Sequence, residues 1–113
     1  MDILKLEIDP AANVYYEEGF RITIEDHLQF LKDHTETTSI QIESKYAYKY
    51  AGDLSGLLTL YKVPVYLHWT IMRMNGFSSY TQLTEGESEL LIPGINAIER
   101  LRSIYKTKNR SIT

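Results

Sequence analysis

The sequence predicts an α+β fold, on the basis of three patterns. Apolar or aromatic residues alternate with polar ones from Ile40 to Tyr50, the period-two spacing of a strand. Two apolar stripes with helical spacing follow between Leu54 and Met74. A short apolar run, ELLI, is then stopped by Pro93. We therefore expect a βααβ body over residues 44–93, with an N-terminal arm before it and a short C-terminal helix after it.

The N-terminal arm, residues 1–43, is expected to contain strands and one helix. Apolar and charged residues alternate around Leu6, and this pattern predicts an edge strand that ends at Pro10. Glu18-Gly19 predicts a turn between two short extended pieces. Thr23 is the predicted N-cap of a helix of about ten residues, and the first turn of that helix carries acidic residues. The apolar residues of that helix are spaced i, i+4 and i+7: Ile24, Leu28 and Leu31.

The two helices of the body have clear start and stop signals. Asp53 is a good N-cap for the first, because its carboxylate can accept from free amides of the first turn. Gly56 is expected to cost that helix up to about 1 kcal/mol relative to alanine. Pro64 suits the first turn of the second helix, and Asn75-Gly76 ends it.

The last segment, residues 94–113, is expected to be a short helix followed by a loosely held basic tail. Ile95, Ile98 and Leu101 have helical spacing, and the residues after Tyr105, KTKNRSIT, contain one apolar side chain. Residues 1–22 are likewise expected to become ordered on a partner.

Composition excludes several functional classes. The net charge of −3 gives the chain no overall positive electrostatic field that would attract nucleic acid or an acidic membrane. No run of the chain is apolar enough to span a bilayer. The chain has no cysteine, and its three histidines, His27, His34 and His68, do not have the spacing of metal ligands. No nucleophile motif or phosphate loop is present. The sequence therefore predicts no catalytic residue, no metal and no cofactor.

Tyrosine is the residue in excess, with nine among 113 residues. Tyrosine and tryptophan give large, stiff contact areas that tolerate water, so they suit surfaces that become buried on assembly. The alternative is that the tyrosines are half-buried strand residues. The candidate anchors for a protein partner are Tyr15, Tyr16, Phe20, Tyr66 and Trp69.

From Tyr48 to Pro93 the chain resembles a LysM module. Four pieces carry the resemblance in order: YKYAGD, LSGLLTLYKV, LHWTIMRMNGF and LTEGESELLIP. Wall-binding LysM modules hold N-acetylglucosamine chains between two loops. Carried over to this chain, the resemblance implies a glycan groove formed by Gly52, Asp53, Leu54, Ser55, Thr81, Gln82 and Leu83.

The whole chain is similar in style to small LysM-like wedge or hub-attachment proteins of contractile phage tail baseplates. That resemblance implies a structural role through contacts with other tail or baseplate subunits, in multiple copies of a symmetric assembly, without membrane or nucleic acid. The first residues lack the pattern of an export signal, which fits a virion component assembled in the host cytoplasm. The alternative function is peptidoglycan binding through the glycan groove.

Overall fold

The computed structural model describes residues 14–112, with the side chains of residues 14–107. The α+β class is confirmed: the described chain combines helices with a two-stranded antiparallel sheet. The edge strand predicted before Pro10 lies outside the described residues. The helices and strands, apart from three short 3-10 turns, are α1 (Glu18–Asp26), α2 (Leu28–Asp33), β1 (Thr38–Gln41), α3 (Ser44–Lys49), α4 (Leu54–Leu60), α5 (His68–Met74), β2 (Glu89–Ile92) and α6 (Ile95–Ile112).

The predicted long strand from Ile40 to Tyr50 is wrong beyond its first residues. Strand β1 pairs with β2 over four residues, from Thr38 opposite Ile92 to Gln41 opposite Glu89. Because β2 is only four residues long, a longer β1 would leave its remaining backbone groups without a partner strand. The chain instead turns into helix α3, so three helices, not two, connect the paired strands.

Helix α1 begins earlier than the sequence predicts. The expected Glu18-Gly19 turn is wrong, since both residues are helical. Thr23 is not an N-cap but a buried residue in the middle of α1, and its hydroxyl donates to the Gly19 carbonyl at 3.1 Å. Bonding to the carbonyl four residues back is how a threonine is accommodated inside a helix. The predicted apolar face is present, with Ile24 fully buried.

The glycine at position 19 is explained by a close approach. A Cβ there would lie 2.8 Å from Cε1 of Tyr105 on α6. The Tyr105 hydroxyl also donates to Oε1 of Glu17 at 2.6 Å. Gly19 therefore lets α6 pack against the start of α1, which a side chain would prevent.

Helices α4 and α5 lie where the sequence predicts them. Asp53 caps α4, its Oδ1 accepting from the Gly56 amide at 2.9 Å. A Cβ at Gly56 would lie 2.2 Å from the other Asp53 carboxylate oxygen, so the glycine makes room for the cap. The 3-10 turn Val65–Leu67 after Pro64 leads into α5.

Asn75 connects the end of α5 to the outer edge of β2. Its Nδ2 donates to the carbonyls of Ile71 at 2.8 Å and Leu91 at 3.1 Å. Its Oδ1 accepts from the Leu91 amide at 2.7 Å. The Asn75 side-chain amide thus bonds both the backbone N–H and the backbone carbonyl of Leu91, as a neighbouring strand would. Gly76, with a φ of +82°, then supplies the left-handed turn expected after the helix.

One hydrophobic core joins the segments that the structure describes. Buried side chains from Val14 to Leu101 form a single cluster. Val14, Tyr15 and Phe20 belong to it, so the expectation that this part of the arm is loosely held is wrong. Helix α6 is also longer than predicted: it runs to Ile112, and the residues expected to form a loose tail up to that point are helical. Ala97, Ile98 and Leu101 bury its inner face.

Candidate interaction surface

Two of the predicted partner anchors are core residues. Tyr15 is 5% and Phe20 1% exposed, and their rings meet edge to face at 5.3 Å. Tyr66 stacks at a tilt on Tyr15, with 4.7 Å between ring centroids. Burial, followed by the nearby Glu99 carboxylate, raises the pKa of Tyr15 to about 12. The prediction that Tyr15 and Phe20 are accessible to a partner is therefore wrong, because both side chains are buried. Helix α1 directs Phe20 into the core.

Two of the other predicted anchors, Tyr16 and the half-buried Trp69, lie on one surface with Arg21 and Ile22, which were not predicted. This surface is here named the Trp69 surface. Tyr16 and Ile22 are 53% and 55% exposed. The Arg21 guanidinium lies 5.0 Å from the Trp69 ring centroid and 6.0 Å from that of Tyr16. An arginine held over aromatic rings keeps its charge at the surface while its rotamer is restricted.

A shallow groove of about 270 Å³ runs along this surface. It lies between the outer face of α1 and Trp69 on α5, and it is lined by Glu18, Arg21, Ile22, Glu25 and Trp69. Its size and apolar lining suit a side chain of another protein better than a whole small molecule, since ligand pockets run from about 300 to 1,000 Å³.

An ion pair joins the two helices that border the groove. Arg73 on α5 donates from Nε and from Nη2 to the two carboxylate oxygens of Glu25 on α1, the second bond measuring 3.0 Å. Its Nη1 donates to the Phe77 carbonyl at 2.8 Å. The hydrogen bonds from Arg73 hold the pKa of Glu25 below its usual value. This fork-to-fork geometry sets α1 against α5 and so preorganises the Trp69 surface.

Arg21 has an unused hydrogen-bond donor. Its Nε is shielded from solvent and has no hydrogen-bond partner within the described part of the chain. Tyr80 belongs to the same neighbourhood: burial raises the pKa of its hydroxyl, and the Arg21 charge opposes that rise. No local pattern indicated a role for Arg21, because the Trp69 ring that its guanidinium contacts comes from a distant segment of the chain.

The two loops of the candidate glycan groove do come together. The Gly52 amide donates to the Leu83 carbonyl at 2.8 Å, and Gly52 has a φ of +81°. However, Leu54 and Leu83 are buried in the core and cannot contact a ligand. Thr81 and Gln82 are exposed on a 3-10 turn. The groove residues that remain accessible are Gly52, Asp53, Thr81 and Gln82, with Asp53 already engaged as a cap.

Ser55, the remaining groove residue, bonds to a buried histidine. Its Oγ lies 2.8 Å from Nδ1 of His68, and Nε2 of His68 lies 2.9 Å from the Val63 carbonyl. A carbonyl can only accept, so Nε2 carries a proton and donates to it. His68 thus ties α5 to α4 and to the segment between them, a structural role.

Other kinds of site were sought in the described residues. Among them, no group of three or more His, Asp or Glu side chains is placed to hold a metal ion. None of the helices described is both long and apolar enough to cross a membrane.

Comparison with protein-family models, with curated proteins and with solved structures returned no match to this chain. The function is therefore inferred from this chain's own residues.

Proposed function

We propose that this chain is a structural protein of a phage-type, contractile tail baseplate, a LysM-like wedge or hub-attachment component that acts through protein–protein contacts. The observation that carries the proposal is the Trp69 surface. It combines exposed Tyr16 and Ile22 with Trp69 and an arginine stacked on it. Tryptophan, tyrosine and arginine are the residues that dominate binding energy in protein interfaces.

The rigidity of the surface supports the same proposal. The Glu25–Arg73 pair joins its two helices, and Tyr15 and Phe20 fill the core beneath it. A surface that is ordered before binding loses little conformational entropy on binding. That property suits a component that is built into a fixed geometry, in many copies.

Particle assembly tests the proposal. The reading frame would be deleted from the genome that carries it, and lysates would be inspected by electron microscopy and mass spectrometry. We expect the chain in wild-type particles and tails without complete baseplates in the deletion. Neighbouring frames for sheath, tube or spike proteins are also expected. Complete tails in the deletion, or particles that lack the chain, would contradict the proposal.

Complementation with variants tests the surface itself. Trp69→Ala and Ile22→Asp are expected not to restore baseplates, because they remove the aromatic anchor or place a charge in the groove. Ile95→Asp is the matched control, since Ile95 is 56% exposed, lies on α6 and does not line the groove. If all three variants restored assembly equally, the Trp69 surface would not be the contact.

A second candidate, peptidoglycan binding, is supported by the Gly52–Leu83 hydrogen bond that joins the two loops. The few accessible groove residues predict weak binding. Titration with N-acetylglucosamine oligomers is expected to give a Kd weaker than about 100 µM. A tighter Kd that is lost in Thr81→Ala and Gln82→Ala would favour the glycan function over assembly.

A further inference from the structure

We propose that helix α3 and the end of α4 form a second docking surface, and that it binds an acidic segment of a partner protein. This tyrosine–lysine surface consists of Lys45, Tyr46, Tyr48, Lys49, Tyr61 and Lys62. It shares no residue with the Trp69 surface, and it does not depend on the baseplate assignment. A chain with both surfaces would connect two partners.

The exposed side of α3 carries one aromatic and two positive charges. Lys45, Tyr48 and Lys49 are spaced i, i+3 and i+4, so they share a helix face. Tyr48 is 74% exposed, while Ala47 on the other side is buried. An exposed tyrosine between two lysines matches a segment that offers both carboxylates and apolar side chains.

The second part of the surface comes from the two residues that follow α4, Tyr61 and Lys62. The rings of Tyr46 and Tyr61 meet edge to face at 6.3 Å, and Lys45 Nζ lies 4.9 Å from the Tyr46 ring centroid. Lys62 follows directly and is exposed. The surface therefore has three lysines on an aromatic base, although the chain as a whole has a net charge of −3.

Two features of this surface are unfavourable for the fold. Lys45 and Lys49 are like charges four residues apart on one helix, which repel each other. Lys62 has a φ of +65°, the left-handed conformation that ends helices and is usually occupied by glycine. Residues that violate local preferences in this way concentrate at functional sites. In both cases the residue at the unfavourable position is a lysine, so the two features share a positive charge.

The charge pattern favours an acidic protein segment over nucleic acid. Nucleic-acid binding commonly uses about six to ten phosphate contacts, and this surface offers three lysines. The acids Glu43 and Asp53 flank α3 on both sides and would repel a continuous phosphate backbone. A short protein segment can place its carboxylates on the lysines and avoid these acids.

Binding to an array of synthetic peptides tests the proposal. The probes are peptides of about 15 residues rich in Glu, Asp and aromatic residues, beside the same peptides with Gln and Asn in place of the acids. We expect binding to acidic peptides only, weakened at least tenfold between about 50 and 300 mM salt. We expect a loss of at least tenfold in Lys45→Glu/Lys49→Glu and of about fivefold in Tyr48→Ala. Lys32→Glu, a change at an exposed lysine on α2, is the control and should bind as the parent does.

Lys62→Gly separates function from folding. Glycine adopts the left-handed conformation without strain, so we expect the melting temperature to rise by about 4 °C. The same change should weaken peptide binding several-fold, because a charge is lost. Three results would overturn the proposal: no peptide binding below about 1 mM, binding that the α3 variants leave unchanged, or a thymidine oligonucleotide that binds more tightly than every acidic peptide with the same lysine dependence.

Discussion

Single residues in this chain have roles that depend on contacts distant in sequence. Ile71 is fully buried between α5 and the rest of the core, whereas Val65, a few residues before it, is 62% exposed. Gly19 and Gly56 both occupy close approaches, one beneath Tyr105 and the other beside the Asp53 carboxylate. Substitutions at such positions measure contacts that the helical pattern alone does not reveal.

Ile71→Ala is expected to lower the free energy of unfolding by about 2–5 kcal/mol, because it leaves a cavity in the core. Urea denaturation followed by circular dichroism measures the change. Val65→Ala is the control and should stay within about 0.5 kcal/mol of the parent. An Ile71→Ala variant as stable as that control would place this face of α5 outside the core.

Glu25→Gln tests the ion pair with Arg73 through pH. The pKa of Glu25 is held below its ordinary 4.5, so its contribution is complete above pH 4.5 and is lost as the pH falls through the lowered pKa. Because about a third of each side chain is exposed, the contribution at pH 7 is expected to be no more than about 1 kcal/mol. Melting curves of parent and variant should differ at pH 7 and converge as the pH falls through the lowered pKa of Glu25.

The matched control for the pH experiment is Glu43→Gln, since the Glu43 side chain makes no capping hydrogen bond to α3. A difference between parent and Glu25→Gln that persisted unchanged at low pH would show that the loss arises from packing and not from the charge.

At the scale of elements, start and stop signals were more predictive than periodicity. The Asp53 cap, the Asn75-Gly76 stop and the Glu89–Ile92 strand lie where the sequence predicts them, because each rests on local backbone chemistry. The alternation from Ile40 to Tyr50 was misleading, because Ala47 and its half-buried neighbours Tyr46 and Tyr50 face the core as a helix does. The four-residue run before Pro93 could have shown that no partner existed for a longer strand.

The capping arrangement at the start of α4 yields a coupled prediction. Asp53→Ala is expected to destabilise the protein by about 1 kcal/mol. Gly56→Ala should change stability little in the parent, because the gain in helix propensity is offset when the new Cβ displaces the capping carboxylate. In the Asp53→Ala background the same change should stabilise by about 1 kcal/mol. Additive effects in this double-mutant cycle would refute the steric account.

At the scale of the whole molecule, the sequence did not predict that residues near position 15 and the first turns of helix α6 belong to the core. Tyr15 and Phe20 looked like anchors for another protein, yet they pack against Tyr66 and Tyr105 of this chain. Such pairings between distant segments are not encoded in any local pattern. For the same reason the Trp69 surface could be predicted only in part: Tyr16 and Trp69 were candidates, and Arg21 between them was not.

Gly19→Ala tests the packing of α6 on α1. Helix propensity alone would make alanine stabilising by about 1 kcal/mol. We expect instead a loss of about 1–3 kcal/mol, because the added methyl group meets the Tyr105 ring. Thermal and urea unfolding measure the effect, with Gly86→Ala as the control, since a Cβ at Gly86 has its nearest contact at an ordinary 3.8 Å. A stabilised Gly19→Ala variant would mean that α6 does not approach α1 as described.

The bonds of Asn75 also bear on chemical ageing. Asparagine followed by glycine is prone to deamidation, in which the glycine amide attacks the side-chain carbon and ammonia is lost. Here that amide is engaged with the Arg73 carbonyl at 3.1 Å, and the side-chain amide is bound to Ile71 and Leu91. The folded chain should therefore resist the reaction. If the local structure opened for long enough for the cyclic imide to form and be hydrolysed by water, the carboxylate product could no longer donate to the Leu91 carbonyl, so the closed structure would lose that hydrogen bond permanently.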